Sequence, residues 1–344
     1  MRAFKQAQSL TDLRRDATAG WATSPFEPLF RNPHLQTILP RFWPTTFDPH
    51  RFKTEARYFR TDADTQVLAH CNFQTCRSES VESPNTLLVV HGLTGSSNSP
   101  YVLRLTALAL KAEFDVIRLN VRNCGGTEHL SSTLYHSGLT SDLRAVIEQL
   151  ENRLLYLVGF SMGGNITLKL AGEWGEVFPS HVRAVCTVSA PLDLAACAHR
   201  LSQPQNRFYE LRFLRELRET IRQKNALLPG KYALSKFSRI HSIVDFDEAY
   251  TAPCFGFGSA EEYYERSSAK NFLSSIKLPT LMLQAQDDPF IPFEIFGHLQ
   301  LDQNPNLNFC APLHGGHVGF LSRQHQRFWD AHQIIRFCKL IATL

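Results

Sequence analysis

The sequence predicts an α/β fold: a mostly parallel sheet with helices on both faces, interrupted by a helical insertion. Short runs that are apolar throughout, such as T-L-L-V-V at 86–90 and L-L-Y-L-V-G at 154–159, alternate with segments of helical periodicity. Strands of a parallel sheet covered on both faces have this continuous apolar pattern. From about residue 194 to residue 275 the alternation stops and no convincing buried strand occurs. We therefore expect one α/β domain whose sequence is divided by an insertion.

The elements of this domain follow from local patterns taken in chain order. Residues 1–50 are rich in proline and aromatic residues and have little regular pattern, which predicts an N-terminal arm around the domain. Residues 51–60 and 66–73 flank the turn-rich T-D-A-D-T and predict a hairpin. The other predicted elements are strands at 86–90, 115–120, 154–159, 182–188, 281–284 and 307–310 and helices at 100–112, 140–151, 163–174 and 324–341. The predicted division is an arm at 1–50, a core at 51–193 and 276–344, and a helical insertion at 194–275.

Composition excludes several classes of protein. The 344 residues include 36 Lys or Arg and 32 Asp or Glu, and a net charge of +4 is too small for a protein whose role is to coat nucleic acid. No apolar run approaches the roughly 18 residues of a membrane-spanning helix, and the first residues lack the apolar stretch of a secretory signal. The eight cysteines form no C-x-x-C pair. We therefore expect reduced thiols, no structural zinc site and a cytoplasmic location.

The clearest chemical motif is G-F-S-M-G at 159–163, between a predicted strand and a predicted helix. In a nucleophile elbow, small residues flank a serine in a tight turn that projects its hydroxyl at the helix N-terminus. The five-residue pattern alone arises often by chance, but an apolar strand before it and an amphipathic helix after it supply the required context. Ser161 is therefore the candidate nucleophile.

The carboxylate that orients the base is expected downstream, because this architecture has the chain order serine, acid, histidine. The segment A-Q-D-D-P-F-I-P follows the strand predicted at 281–284, at the same sheet edge as Ser161. Asp288 is favoured because it keeps the D-P-x-x-P spacing that is common after this strand. Its neighbour Asp287 and the earlier Asp193, which also follows a strand, remain alternatives.

The candidate base lies in L-H-G-G-H-V-G-F, which follows the strand predicted at 307–310. His317 is favoured because the two glycines before it let its loop approach the serine. His314 is the alternative, and in the simpler interpretation it is a loop residue with a local hydrogen bond.

An oxyanion hole needs two backbone N–H groups that face the developing negative charge. One is expected from Met162, directly after the nucleophile, and the other from Leu93, in the loop H-G-L-T-G after the first buried strand. The side chain of His91 in that loop is expected to brace it rather than to act in catalysis.

Other catalytic classes lack their sequence signatures. The elbow holds Ser rather than Asp, which argues against alkyl-enzyme chemistry, and the chain has neither H-E-x-x-H nor G-x-x-x-x-G-K-[ST]. G-F-G-S-A-E at residue 256 lacks the third glycine of a dinucleotide fingerprint. The sequence implies no cofactor.

These motifs together resemble the YheT-like branch of the α/β-hydrolase superfamily, which is related to the eukaryotic abhydrolase-domain esterases and lipases. The resemblance extends from about residue 26 to residue 325 and rests on N-P-H-L-Q-T-I-L-P (32–40), H-G-L-T-G-S-S-N-S-P-Y (91–101), N-V-R-N-C-G-G-T (120–127), L-Y-H-S-G-L-T-S-D (134–142), G-F-S-M-G-G-N (159–165), Q-D-D-P-F (286–290) and H-G-G-H-V-G-F (314–320). It implies Ser161 as nucleophile, Asp288 as acid and His317 as base. Members are mostly carboxylic-ester hydrolases, and lipid esters are favoured in the eukaryotic relatives.

The predicted activity is hydrolysis of carboxylic esters, with a small-molecule ester or a lipid as substrate. The same three residues would serve a thioesterase, a lipase or an acyltransferase on longer acyl chains, and a catalytically silent ligand-binding protein is the alternative from another class. For the motif N-P-H-L-Q-T we expect an arm packed on the core rather than a catalytic role for His34. The oligomeric state stays open.

The insertion at 194–275 is expected to be a cap over the active site. Its apolar positions at helical spacing predict one buried stripe, composed of Phe208, Leu211, Leu214, Leu217 and Ile221. Between residues 199 and 240 there are ten Lys or Arg and three Glu residues, and we expect the basic residues on the outer face. Such a face is either a solvated helix surface or a surface that attracts anionic lipids.

Overall fold

The computed structural model describes residues 21, 23–45, 47–48, 52–74 and 83–344. Strands in these residues form one eight-stranded sheet in the order β1-β2-β4-β3-β5-β6-β7-β8, in which β1 and β2 are antiparallel and the rest are parallel. The strands are β1 Glu55–Asp62, β2 Thr65–Asn72, β3 Asn85–Val90, β4 Asp115–Leu119, β5 Leu154–Phe160, β6 Val182–Val188, β7 Thr280–Leu283 and β8 Leu307–Cys310. Each predicted strand is present, so the predicted fold class is confirmed.

The helices flank the sheet or belong to the insertion. They are α1 Pro33–Ile38, α2 Pro100–Lys111, α3 Thr140–Glu148, α4 Met162–Trp174, α5 Leu194–Leu201, α6 Arg207–Leu227, α7 Ile243–Phe246, α8 Ala252–Cys254, α9 Ala260–Ser267 and α10 Trp329–Ala342. One turn of π-helix, Asp247–Thr251, joins α7 to α8. Of the described residues between 194 and 275, none lies in a strand, as the periodicity of this segment predicts.

Both faces of the sheet are buried because successive side chains of its parallel strands enter two different cores. On β3, Leu88 and Val90 belong to the core that includes α3 and α4, whereas Leu87 and Val89 belong to the core that includes α2 and α10. All four side chains are at most 1% exposed. The continuous apolar strands of the sequence therefore reflect two covered faces rather than one.

The stripe predicted on α6 is wrong at its first two positions. Phe208 and Leu211 are 71% and 50% exposed, whereas Leu214, Leu217 and Ile221 are buried as expected. The position that faces the interior in the first turn holds Glu210, which accepts hydrogen bonds from Ser202 Oγ at 2.6 Å and from the Ile243 N–H at 3.1 Å. Because a polar residue starts the buried face, the helix is rotated away from the apolar positions that the pattern favours.

Two further expectations need correction. Lys224, expected on the outer face of the insertion, is buried, and its ammonium donates to the carbonyls of Glu128 at 3.0 Å and of Ser131. The last helix begins at Trp329 rather than near residue 324, because Leu321 and Phe328 form an isolated antiparallel bridge that holds the intervening residues in turns.

The N-terminal segment packs against the core where it is described. Phe26 contacts Trp329 with ring centroids 5.2 Å apart, and Trp21 contacts Phe337 at 5.4 Å. The first twenty residues of the predicted arm lie outside the described residues, as does Cys76. The seven cysteines that are described carry free thiols. Within the described ranges, no helix combines the length and the apolar character needed to cross a bilayer.

Candidate active site

Ser161 lies in a strained turn between β5 and α4. Its backbone has φ 50° and ψ −122°, in the left-handed region that residues with a side chain seldom adopt. The turn is held by hydrogen bonds from the Ser161 N–H to the Val188 carbonyl at 2.9 Å and from the Gly164 N–H to the Ser161 carbonyl at 2.8 Å. This is the conformation of a nucleophile elbow.

The two glycines of G-F-S-M-G are required by close backbone approaches. A Cβ on Gly163 would overlap the carbonyls of Val90 and His91, and a Cβ on Gly159 would overlap Thr167 and the Gly163 carbonyl. The start of α4 is therefore pressed against the end of β3, which brings the serine beside the loop that follows β3.

His317 lies between Ser161 and Asp288. Its Nε2 is 2.9 Å from Ser161 Oγ and its Nδ1 is 2.9 Å from Asp288 Oδ2. Because a carboxylate only accepts hydrogen bonds, Nδ1 carries the hydrogen in a neutral ring and Nε2 accepts from the serine hydroxyl. The ring of Phe290 packs on the imidazole with centroids 4.4 Å apart.

The carboxylate of Asp288 is fixed by its own loop. Its Oδ1 accepts the N–H groups of Phe290 at 2.9 Å and Ile291 at 3.3 Å, and its Oδ2 accepts Gln284 Nε2 at 3.2 Å. The residue is only 3% exposed. Asp288 therefore presents Oδ2 to His317 in one orientation.

The sequence alternatives form other contacts. Asp287 Oδ2 is 3.1 Å from His314 Nδ1, and its Oδ1 accepts the Gly316 N–H at 2.9 Å. Asp193 caps α5 through the Ala196 N–H and pairs with Lys270 at 2.6 Å. None of these bonds involves Ser161 or His317, so the structure brings together the favoured residues rather than the alternatives.

The loop after β3 lies against the elbow. The N–H groups on either side of Leu93 donate to tyrosine hydroxyls, that of Gly92 to Tyr101 at 2.9 Å and that of Thr94 to Tyr135 at 3.3 Å. Leu93, Met162 and Ser161 line one cavity. Met162 starts α4, where the first N–H groups of a helix have no acceptor within the helix.

His91 braces this loop, as expected. Its ring is fully buried, with Nδ1 2.7 Å from the Gly92 carbonyl and Nε2 3.1 Å from the Val121 N–H. Burial lowers the pKa of His91 to about 4, so the ring is neutral near pH 7. Nδ1 therefore donates within the loop, and Nε2 accepts from Val121, which follows β4.

The cavity at Ser161 is walled on one side by the α/β core and on the other by the insertion. Apolar side chains from α5, α6 and α7 contribute much of the wall, among them Leu201, Phe213, Leu217, Ile221 and Phe246. In the described part of the chain, no group of three or more His, Cys, Asp or Glu could hold a metal ion.

Comparison with known proteins identifies the fold family. Residues 85–324 match the family of the α/β-hydrolase fold. This chain belongs to that family. The hydrolase is similar to the putative esterase YheT of Escherichia coli (strain K12), with 32% identity over 91% of this chain and 93% of the relative, so the predicted resemblance is confirmed.

Two other similarities agree with this assignment. A monoacylglycerol lipase of Saccharomyces cerevisiae is 32% identical over 74% of this chain, which spans 59% of that relative. An esterase structure from Pyrococcus furiosus has a TM-score of 0.56 at 16% identity, over 93% of this chain and 98% of that one. The second similarity concerns the fold of the hydrolase alone.

Sequence reasoning missed two contacts to the loop that carries His317. The Thr37 hydroxyl accepts the His317 N–H at 2.9 Å, and the Ser189 hydroxyl accepts the Val318 N–H at 3.0 Å. Thr37 lies within N-P-H-L-Q-T, so the motif was visible, but only tertiary packing shows what it contacts. His34 of this motif has its Nδ1 3.1 Å from Tyr209 OH and does not contact Ser161.

Proposed function

We propose that this α/β hydrolase cleaves carboxylic esters through an acyl-enzyme intermediate formed on Ser161. One observation carries the proposal: a continuous line of hydrogen bonds from Ser161 Oγ through His317 to the buried Asp288, with both distances at 2.9 Å. A serine hydroxyl is a weak nucleophile at neutral pH and needs an adjacent base to remove its proton.

The residues act in a defined order in this proposal. Ser161 Oγ bonds to the ester carbonyl carbon while His317 Nε2 takes the hydroxyl proton, and the N–H groups of Leu93 and Met162 donate to the oxyanion. The tetrahedral intermediate collapses, the bond to the alkoxy oxygen breaks, and the alcohol leaves with the proton from Nε2. Water then repeats the sequence at the acyl carbon and releases the acid, and Asp288 holds the tautomer of His317 throughout.

The lining of the cavity supports a substrate with an apolar part. An apolar lining such as Phe213, Leu217 and Phe246 favours a substrate with an apolar chain, since burial of each CH₂ contributes about 0.8 kcal/mol. The named activities of the relatives, esterase and monoacylglycerol lipase, support an ester of this kind. A thioesterase or acyltransferase activity would use the same residues.

We assign residues 194–275 as a cap over this site. Its helices α5, α6 and α7 form part of the cavity wall, and Glu216 of α6 accepts a hydrogen bond from the Thr94 hydroxyl in the loop after β3. Movement of α6 would therefore displace the proposed oxyanion loop through this hydrogen bond. The free thiols of the described cysteines support the predicted cytoplasmic location.

The exposed face of α6 supports contact with an anionic membrane surface. Phe208, Leu211, Arg215, Glu219 and Arg222 are exposed and share one side of the helix by their spacing, and Arg222 pairs with Glu219 at 3.1 Å. An apolar pair followed by basic residues is suited to insertion at a headgroup boundary with electrostatic attraction. We expect sedimentation with anionic but not neutral vesicles at low salt, reduced by Phe208→Ser with Leu211→Ser. Equal binding to both vesicles would contradict it.

A fluorophosphonate probe with a panel of p-nitrophenyl esters from acetate to palmitate tests the proposed function. We expect covalent labelling at Ser161 and turnover that improves with chain length beyond acetate. Ser132→Ala is the matched control, because it removes a serine hydroxyl that donates to Asp64, and neither residue lines the cavity. Absence of labelling and turnover in the folded wild type would favour the silent ligand-binding alternative.

A further inference from the structure

Several polar side chains line the cavity besides Ser161 and His317. Asp247, Thr251 and Tyr264 come from the cap, and His136 comes from the loop before α3. The Asp247 carboxylate accepts hydrogen bonds from Thr251 Oγ1 at 2.6 Å and from Tyr264 OH at 2.7 Å. Tyr264 thus joins α9 to the π-helical turn that holds Asp247.

The carboxylate of Asp247, which lines the cavity, retains hydrogen-bonding capacity. Each carboxylate oxygen has two lone pairs, and the bonds from Thr251 and Tyr264 use one on each oxygen. Burial raises the pKa of Asp247 to about 6, so the group is mostly ionised near pH 7 despite the cost of burial. The π-helical turn that bears Asp247 is a rare element that occurs often at functional sites.

His136 lines the same cavity and is linked to Asp247 indirectly: it contacts Tyr263, whose ring packs on Tyr264, the partner of Asp247. The Nδ1 of His136 accepts the Gly138 N–H at 3.2 Å, so the hydrogen of the neutral ring is on Nε2. Burial lowers the pKa of His136 to about 3, and nearby Lys169 and Arg122 act in the same direction. Its ring packs edge-on against Phe255, whose centroid is 4.5 Å away, and against Tyr263 at 5.6 Å.

We propose that Asp247 and His136 form a subsite for a hydroxyl group of the substrate, an inference that rests on the proposed esterase function. A hydroxyl donates to the carboxylate and accepts from the imidazole N–H, whereas an ammonium group has no lone pair for that donor. The preferred substrates are therefore esters with a free hydroxyl, on the alcohol side or on the acyl chain.

Matched ester pairs test the subsite. The alcohol-side pair is 2-hydroxyethyl butyrate against propyl butyrate, and the acyl-side pair is methyl 6-hydroxyhexanoate against methyl heptanoate. In one pair we expect the wild type to favour the hydroxyl member about tenfold or more in kcat/KM, as for a hydrogen bond to a charged group. Asp247→Ala should bring this ratio near one, Asp247→Asn should give an intermediate ratio, and exposed Glu219→Ala should leave it unchanged.

Binding of the same pairs to Ser161→Ala, measured by calorimetry, needs no turnover and separates the two proposals. Equal affinity within both pairs would overturn the subsite, whatever the hydrolytic rates. A hydroxyl preference in binding by a wild type that hydrolyses none of the esters would support the subsite and overturn the esterase proposal. A preference for butyrylcholine over both hydroxyl esters would contradict a hydroxyl subsite and indicate a cation subsite.

A separate set of contacts accounts for the N-P-H-L-Q-T motif. Asn32 accepts the His34 and Leu35 N–H groups and so starts α1, with Pro33 at the first helical position. Thr37 Oγ1 donates to the Pro33 carbonyl at 2.7 Å and accepts the His317 N–H at 2.9 Å. One hydroxyl thereby connects α1 to the proposed catalytic base.

The fully buried amide of Gln36 secures the same loop further on. Its Nε2 donates to the carbonyls of Phe30 at 2.9 Å and Leu321 at 3.0 Å, and its Oε1 accepts the Leu321 N–H at 2.9 Å. Both backbone polar groups of Leu321 are thus paired by one side chain. The loop from His317 to Leu321 is held by α1 at both ends.

The geometry points to Thr37 and Gln36 as positioning residues for His317. Thr37→Val removes the hydroxyl at nearly constant volume and should lower kcat about tenfold or more with little change in KM, since a small displacement of a catalytic group can cost this much. Thr37→Ser should restore most of kcat. Thr106→Val is the matched control, because Thr106 makes the same i−4 carbonyl bond, to Val102 at 2.7 Å, away from the site.

The melting temperature distinguishes positioning from stability. If Thr37→Val and Thr106→Val lower it equally while both retain full kcat, the positioning role is overturned. A loss of kcat and of fluorophosphonate labelling rate confined to Thr37→Val, and rescued in Thr37→Ser, supports it. Gln36→Glu should lower kcat as well, because a carboxylate cannot donate to the Leu321 carbonyl.

Discussion

Two histidine–aspartate pairs lie side by side in this hydrolase and differ in their surroundings. His317–Asp288 and His314–Asp287 come from the same two loops, and their nitrogen–oxygen distances are 2.9 Å and 3.1 Å. The side chains of the first pair are 11% and 0% exposed, those of the second 33% and 17%. Only His317 has Ser161 Oγ at its other ring nitrogen. A histidine–aspartate contact therefore does not identify a base; its burial and its third partner do.

The largest expected effect is that of Ser161→Ala. Removal of the hydroxyl leaves His317–Asp288 with no nucleophile to activate, so kcat should fall by roughly 10⁴–10⁶. Hydrolysis of the best p-nitrophenyl ester measures the change, with circular dichroism as the check on folding. If Ser161→Ala retained turnover within tenfold of wild type, the contact with Ser161 would no longer distinguish His317–Asp288 from His314–Asp287.

Replacement of the two histidines tests the comparison directly. His317→Ala should approach the loss seen for Ser161→Ala, because the two side chains act as one unit and their losses are not additive. His314→Ala should lower kcat by less than about tenfold, because its bond to Asp287 only fastens the loop. An equal loss in both variants would show that the outer pair also takes part in catalysis.

The two aspartates give the next largest difference. Asp288→Asn lets an amide donate to His317 and so favours the wrong tautomer, which should lower kcat by about 10³–10⁴. Asp287→Asn should cost less than about tenfold. Kinetics at saturating ester for the two variants settle the order, and a greater loss in Asp287→Asn would place the acid one residue earlier.

Another buried carboxyl, Asp330, extends the comparison because its charged neighbour is Arg104 rather than a histidine. Burial raises the pKa of Asp330 to about 7, against an unfolded value near 4, although Arg104 acts in the opposite direction. The folded state then binds more protons between about pH 4 and pH 7, so this group's contribution to stability falls as the pH rises through that window.

Asp330→Asn should remove this dependence. We expect the unfolding free energy of wild type relative to Asp330→Asn to decline by roughly 1 kcal/mol per pH unit between pH 4 and pH 7. Urea unfolding of both proteins at four pH values measures the difference, in which the titrations common to both cancel. A constant difference across the window would mean that Asp330 titrates alike in both states.

Local patterns in the sequence were sufficient for the sheet. Every predicted strand is present, because runs such as residues 86–90 are apolar throughout only when both faces of the sheet are covered. The rotation of α6 was not predictable, because it depends on Glu210 and its partners Ser202 and Ile243, which approach through tertiary packing.

The candidate site likewise has parts that local motifs predict and parts that only tertiary packing determines. The elbow around Ser161 and the chain order of acid and base follow from local motifs, but the choice between Asp287 and Asp288 depends on which loop amides each carboxylate meets. No local sequence pattern identified Asp247, because its environment depends on hydrogen bonds from Thr251 and Tyr264. N-P-H-L-Q-T was recognisable as a motif, but its contacts with His317 and Leu321 are distant in sequence and could not be predicted from it.

The bond between Thr37 and His317 joins residues that are 280 positions apart, and this has a consequence for translation. At about 5–20 residues per second, the ribosome adds His317 roughly 14–56 s after Thr37. The elbow at Ser161 is therefore synthesised well before the proposed base, His317, can form its bond to Thr37. We therefore expect a nascent or truncated chain that lacks His317 to carry Ser161 without its proposed base and to be inactive as an esterase.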